Sequence, residues 1–463
     1  MAETIKCISP VDGRIYASRP VASKKEIAAT FTAAHAAQDK WKRLPLAERA
    51  AYCSAAVDVM LAMKDEIVPE LAWQMGRPVR YGAGELRGFE ERARHMIAIA
   101  EGALANIDPG PKEGFLRYIK REPLGVVFTI APWNYPYLTA VNSIIPALMA
   151  GNSVVLKHAA STLLVAERFR QAFADAKLPR AVFQHLVLNH KQTADIISDG
   201  HADMVCFTGS VAGGKAMEQA AAGRFINLGL ELGGKDPAYV RPDANMTHAI
   251  ENLVDGAFFN SGQSCCGIER IYVHKKVWDD FTGGFIDLTK KYLLGSPLEE
   301  ATTLGPMIKA EAAEFVRRQI KSALRGGAKA HIDPKSFARD KAGTPYMAPQ
   351  VLTSVNHQMS VMTEESFGPV VGIMKVSDDA EAIQLMNDSP YGLTAAIWTG
   401  DAEAAAKIGD EIATGTVFMN RCDYLDPALA WTGVKDTGRG VTLSPLGYDA
   451  LTRPKSYHLR IKT

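Results

Sequence analysis

The sequence predicts an α/β protein built on parallel sheets, and three observations predict it. Short runs rich in Val, Ile and Phe (VVFTI, SVVLK, MVCFTG) alternate with helical stretches between Gly125 and about Gln219. A second region of the same kind begins after Glu231. Strand, helix, strand in that order makes right-handed βαβ units, and hence a parallel sheet. The chain has 463 residues, a length for two or three domains that each bury a core.

The elements follow in order. Residues 24–104 are rich in Ala, Glu, Arg and Leu with few breakers, and Lys24–Trp41 and 47–63 carry apolar residues at helical spacing. IDPGPKEG then supplies turn residues, and 115–121 alternates as an exposed strand does. Between the first strands the spacing predicts helices at 137–150, 163–176 and 213–222. In the second region it predicts strands at 237–240, 270–273, Val370–Val376 and Thr394–Trp398, with helices at 247–259, 277–293 and 380–387. Residues 454–462 read as a further polar strand. Two isolated, edge-like strands, 115–121 and 455–461, invite pairing with each other or with a second subunit.

Composition narrows the function classes. Hydrophobic residues make up 47% and charged ones 22%, a folded rather than a disordered profile. Lys plus Arg is 52 against 51 for Asp plus Glu, leaving a net charge of +1. No basic field is present for nucleic acid or an anionic membrane. The opening MAETIKCISPVDGR lacks a signal-peptide core, and the longest apolar runs are too short to span a bilayer. The expected location is cytoplasmic. The six cysteines include no C-x-x-C pair and no neighbouring His cluster, so no metal is expected and the thiols read as reduced.

Several residue settings suit chemistry. Cys265, in NSGQSCCGIER, lies among small residues, and a thiolate there is a soft nucleophile for a carbonyl carbon. Its neighbour Cys266 reads as packing. Glu231, in LELGGKDP, is a carboxylate in an apolar segment, where a raised pKa suits a general base. Gly209 and Ser210, in VCFTGSVAGGK, stand at a strand-to-helix turn where backbone N–H groups can meet a pyrophosphate. The spacing is neither G-x-G-x-x-G nor a Walker loop. Lys157 ends a predicted strand, where open α/β sheets bind ligands. Asn134, held between aromatics and prolines in APWNYP, offers an amide N–H to an oxyanion. Glu365, in EESFGPV, offers an acceptor to ribose hydroxyls. Taken singly, each also fits a blander role as a cap, a turn or a packing residue.

The order of these pieces is more specific than any one of them. PWNYP, VVLK, FTGS, LELGGK, GQSC, EESFGPV and GVKDTGRG span residues 132–440, and 34 residues separate Glu231 from Cys265. The chain resembles the aldehyde dehydrogenase superfamily along nearly its whole length. In length and in the wording VLKHA it looks most like the bacterial succinate-semialdehyde dehydrogenase branch. The resemblance implies oxidation of an aldehyde to a carboxylic acid with NAD or NADP, through a thiohemiacetal and a thioester. It implies Cys265 as nucleophile, Glu231 as the base for hydrolysis, and Asn134 with the backbone N–H of Cys265 as the oxyanion hole. Lys157 and Glu365 would hold the riboses, Phe367 and Trp133 would lie by the cofactor, and Gly209 and Ser210 would meet the pyrophosphate. It also implies the family fold, two parallel-sheet α/β domains with a small β oligomerisation arm. Residues 1–104 and 124–233 would form the dinucleotide-binding domain, 234–443 the catalytic domain, and 105–123 with 444–463 the arm of a homodimer or homotetramer.

Three departures from the family pattern bear on specificity. Ala160 stands where the family often has a glutamate that would repel a 2′-phosphate. NADP is therefore open beside NAD, with His158 and Ser161 as possible help. Trp431 replaces a phenylalanine that usually lines the substrate tunnel. Asn142 and Ser143 replace a bulky aromatic and a basic residue; with Tyr135 and Arg421 they make a partly polar tunnel. Arg421 is a candidate partner for a substrate carboxylate. The competing readings are a CoA-acylating enzyme, against which Glu231 argues, and a non-catalytic structural relative.

Overall fold

The computed structural model describes residues 3–462. Two mostly parallel sheets organise it. The first has six strands in the order Gly438–Arg439, Asn227–Glu231, Met204–Thr208, Val126–Ile130, Ser153–Lys157, Phe183–His185. All are parallel except Gly438–Arg439, which runs antiparallel to Asn227–Glu231. The second has seven, in the order Lys329–Ala330, Gln350–Thr353, Val370–Val376, Ile268–His274, Asp236–Val240, Thr394–Trp398, Thr416–Met419. There only Lys329–Ala330 is antiparallel.

The central strands are buried along their whole length, as strands covered on both faces must be. Every residue of Val126–Ile130 is buried. Val127 packs into the apolar layer of the helices Leu46–Ala62, Val79–Ala103 and Pro136–Ala150. Val126, Phe128 and Ile130 point the other way, into a layer with Ile27, Phe31, Ile196 and Ile197. The alternation follows from the two-residue period of a strand.

Helix ends carry local signals. Ser23 caps the helix Lys24–Trp41 in a reciprocal box with Glu26, the pattern S-x-x-E that satisfies two otherwise free N–H groups. Gly151 ends Pro136–Ala150 at φ +96°, a left-handed turn that a side chain disfavours.

The first sheet sets the site. From Val126–Ile130 the chain steps outward to Ser153–Lys157 and Phe183–His185, then returns on the other side to Met204–Thr208 and Asn227–Glu231. The strand order therefore reverses between Val126–Ile130 and Met204–Thr208. Ligands of open α/β sheets bind at such a switch, beyond the carboxyl ends of the strands.

Some elements differ from expectation. Gly438–Arg439, expected among residues 234–443 of the second domain, edges the first sheet instead. The helix expected over 277–293 is Trp278–Thr289. Phe115–Pro123 pairs with Thr452–Arg460, from Phe115 opposite Arg460 to Pro123 opposite Thr452. Of the two pairings the sequence left open, this chain makes the internal one. Among the described residues no helix is long and apolar enough to cross a membrane. No three His, Cys, Asp or Glu side chains among them gather as metal ligands, and the cysteines are all free.

Candidate active site

Cys265 follows a strained loop. Asn260, Ser261 and Gly262 have φ of 53°, 57° and 70°, and each non-glycine residue in that region costs about 1–2 kcal/mol. Buried hydrogen bonds hold the conformation. Ser261 Oγ donates to Gly305 O at 2.8 Å, and Asn260 Nδ2 donates to Asn134 O at 3.1 Å. Arg77 donates to the same Asn134 carbonyl at 2.6 Å and pairs with the buried Glu85. The Asn134 side chain is itself buried and donates from Nδ2 to Gln263 O at 3.2 Å. Its amide is thereby fixed against the loop two residues before Cys265.

Cys265 is half-buried and lines two cavities. One, of about 260 Å³, lies at the sheet switch point and is lined by Pro132, Trp133, Asn134, Thr208, Gly209, Ser210, Glu365 and Phe367. The other, of about 410 Å³, lies among Arg92, Tyr135, Leu138, Asn142, Tyr424 and Trp431. Glu231 also lines both. The thiol and the carboxylate thus stand on the wall shared by a dinucleotide-type cleft and a second chamber.

Glu231 ends its strand with both oxygens engaged. Thr442 Oγ1 donates to Oε1 at 2.6 Å and Thr208 Oγ1 to Oε2 at 3.3 Å. Burial raises its pKa, opposed by the Thr442 hydrogen bond, the Arg92 charge and the Thr208 hydrogen bond. Cys266 borders the larger cavity too, but its Sγ is engaged, donating to Asp423 at 3.0 Å. Ser264 Oγ donates to the same carboxylate at 2.8 Å, and burial lifts Asp423 to about 6.

The smaller cavity has the features of a dinucleotide cradle. Ser210 caps the helix Val211–Ala221, accepting from Gly213 N–H. A Cβ on Gly209 would come within 2.7 Å of the Phe207 ring, so the bare backbone is required at that turn. Trp133 and Phe367 meet edge to face across the cleft, with centroids 5.6 Å apart. Glu365 accepts from Gly234 N–H at 3.0 Å, and burial, with the Glu269 charge, lifts its pKa to about 7. Glu269, buried and paired with Lys235, also accepts from the backbone N–H groups of Ser366 and Phe367. That buried pair fixes the segment carrying Glu365 and Phe367. Lys157 sits one strand further along, opposite Ile130 and outside the cavity lining. Burial lowers it to about 8, and its ammonium has no ion-pair partner among the described residues. A half-buried cation without an ion-pair partner at the end of one strand of the sheet, and a glycine turn at the end of another, suit an anionic, hydroxyl-rich ligand.

A family model described as the aldehyde dehydrogenase family matches residues 1–457. The chain belongs to the aldehyde dehydrogenase family. It is similar to an "Aldehyde dehydrogenase" of Paenarthrobacter nicotinovorans, 33% identical over 446 residues and covering 96% of this chain and 97% of that one. It is also similar to a "Succinate-semialdehyde dehydrogenase [NADP(+)]" of Mycobacterium avium, 31% identical over 455 residues, with 98% and 96% covered. Among solved structures, a succinic semialdehyde dehydrogenase from Streptococcus pyogenes in complex with NADP+ superposes with a TM-score of 0.93 at 27% identity, covering 98% of this chain and 100% of that one. The mixed α/β fold with two parallel sheets is the aldehyde dehydrogenase fold.

Two candidates from the sequence lie elsewhere than expected. Arg421 is exposed and stacks on Tyr424, 3.3 Å from the ring centroid, outside the larger cavity. His158 is buried, near Pro136 O and Thr162 Oγ1, and burial drops it to about 3. It is neutral and turned inward, so it offers no charge to a 2′-phosphate. Ala160 is exposed, with no acid in its place. Sequence reasoning missed Thr442, Thr208 and Arg92. Only Arg92 left a trace. On Val79–Ala103 the residues Leu86, Phe89, Ala93 and Met96 form the buried stripe, and Glu85 and Arg92 fall on that stripe as charges out of place.

Proposed function

We propose that this aldehyde dehydrogenase oxidises an aldehyde to its carboxylic acid through a thioester on Cys265. The observation that carries the reading is the common wall. Sulfur and carboxylate both border the cleft suited to a dinucleotide and the chamber suited to an aldehyde. Sγ of Cys265 adds to the carbonyl carbon, and the oxyanion meets the fixed amide of Asn134 and the N–H of Cys265. Bound NAD or NADP supplies the hydride acceptor that turns the thiohemiacetal into a thioester. Trp133 and Phe367 flank the cleft, Ser210 and Gly209 offer the helix N-terminus to the pyrophosphate, and Glu365 and Lys157 are the groups for the ribose hydroxyls. Glu231 then takes a proton from water as the water attacks the thioester, releasing acid and thiol.

The absence of an acid at Ala160 supports use of NADP beside NAD, as does the NADP(+) in the names of relatives. Those names also support succinic semialdehyde, or another small aldehyde, as substrate. We further propose that the ribbon of Phe115–Pro123 and Thr452–Arg460 is the arm of a homodimer or homotetramer.

Glu231→Gln tests the mechanism. It should leave a burst of about one NAD(P)H per site and slow the steady state by about 10²–10⁴-fold, the range for a lost general base. Cys265→Ala should give neither burst nor turnover. Parent-rate turnover in Glu231→Gln removes the base; burst-free slow turnover places the defect before the thioester.

A further inference from the structure

Arg92 lies on the wall of the larger cavity, from the middle of the helix Val79–Ala103. It is 8% exposed. A buried guanidinium ordinarily has a carboxylate partner, because burying an unpaired charge costs several kcal/mol. Arg92 has no such ion pair among the described residues. The nearest acid on its own helix face, Glu85, is already taken: Arg77 pairs with it, and it accepts from the N–H groups of Tyr137 and Leu138 at 2.9 and 3.1 Å. Only Nη1 of Arg92 is engaged, by two neutral acceptors: Leu138 O at 2.8 Å and Asn142 Oδ1 at 3.3 Å. An arginine has five donor hydrogens in a planar fork, so most of this fork is free.

Asn142 completes the pattern. It is 2% exposed, its oxygen faces Arg92, and its Nδ2 is buried without a partner. A buried amide donor left unmade costs free energy until an acceptor arrives. Two neighbouring side chains thus carry unsatisfied donors, one of them cationic, and both residues line a cavity that also holds Cys265, Glu231 and Trp431. The acids that share the cavity make no ion pair with them. Glu91 and Asp255 are exposed, Asp423 accepts from Ser264 and Cys266, and Glu231, which feels the Arg92 charge, accepts its hydrogen bonds from Thr442 and Thr208.

We infer that Arg92, with the Asn142 amide beside it, receives a carboxylate at the far end of the aldehyde and makes the site selective for small ω-carboxy aldehydes. The inference rests on the proposed oxidation at Cys265. A carboxylate suits the fork because two parallel N–H bonds match its two oxygens. In this chain Arg92 takes the role that the sequence had offered to Arg421.

The test uses the full-length protein with NADP and three aldehydes of matched length, ending in a carboxylate, a carboxamide or an amine. The carboxylate should exceed the carboxamide in kcat/KM by about 100-fold, since the carboxamide leaves the guanidinium buried and unpaired. In Arg92→Met that ratio should fall to within about threefold, while Arg92→Lys keeps part of it. Both rates of each ratio come from one preparation, so any loss of folded protein cancels. If Arg92→Met does not fold at all, the parent ratio decides by itself. Equal rates for carboxylate and carboxamide, a preference for the amine, or a ratio unchanged in Arg92→Met overturns the inference. Oxidation of none of the three overturns the proposed function instead.

Discussion

At the residue scale the proposed hydrolysis depends on how one carboxylate is held. Glu231 is a base only when ionised, and burial disfavours that form. The hydroxyl of Thr442, 2.6 Å from Oε1, favours it. The sign follows directly. A carboxyl with a raised pKa is protonated at a pH where an ordinary glutamate is ionised, so turnover limited by hydrolysis should fall on the acid side of a limb above ~4.3. Thr442→Val removes the donor and should move that limb to higher pH. A pH profile of kcat checks it, and an unmoved limb would detach Thr442 from the chemistry. Cys265 and Glu231 drew notice because each sits in a motif with its own glycines and a fixed separation, and the structure brings both to the same two cavities. Thr442 did not, because a threonine 211 residues from its partner leaves no spacing to read.

At the element scale, legibility followed burial. Val126–Ile130, Ser153–Lys157, Val370–Val376 and Thr394–Trp398 have the expected ends, since strands covered on both faces must be apolar runs bounded by polar residues. Amphipathic elements were harder to see. Ala310–Arg325 and Ala402–Asp410 are helices whose exposed faces dilute the apolar signal. The short strands Gln350–Thr353 and Thr416–Met419 offer too few residues for a period. The ribbon of Phe115–Pro123 and Thr452–Arg460 was legible as strands, but its pairing was not, because an edge specifies no partner. Its rings stack across the register, Tyr118 on Tyr457 at 4.5 Å and Phe115 on His458 at 4.6 Å. Leu116 and Leu459 remain exposed opposite one another. A two-stranded ribbon gains little stability alone, and an apolar pair left in water suits a face that a second copy covers. Light scattering should give a multiple of the chain mass for the parent. The mass should move toward that of one chain when Leu116 and Leu459 are both changed to Asp. An unshifted mass would place the arm elsewhere.

At the scale of the whole molecule, the site exists because two sheets meet at one loop. The first sheet supplies the switch point, with Trp133, Asn134, Gly209 and Ser210 beyond its strands, and Glu231 at the end of one of them. The second lies beside the strained turn that carries Cys265, and it holds Glu365 and Phe367 in place through the buried Lys235–Glu269 pair. Residues far apart in sequence converge, so the motif order singled out residues that border the same cavities, while Arg92 was not among them. Arg92 belongs to the N-terminal helical layer, and its one trace in the sequence is its place on the apolar stripe of Val79–Ala103, which marks it as buried but not as bordering a cavity with Cys265.

The proposed intermediate is covalent, and the mass of the protein during turnover reveals it. Glu231→Gln, mixed with aldehyde and NADP and quenched in acid, should carry an acyl group on the peptide containing Cys265, heavier by the aldehyde less its hydride and the thiol proton. NADPH should form in equal amount. An unmodified Cys265 alongside formed NADPH, or an adduct on another residue, would contradict the account.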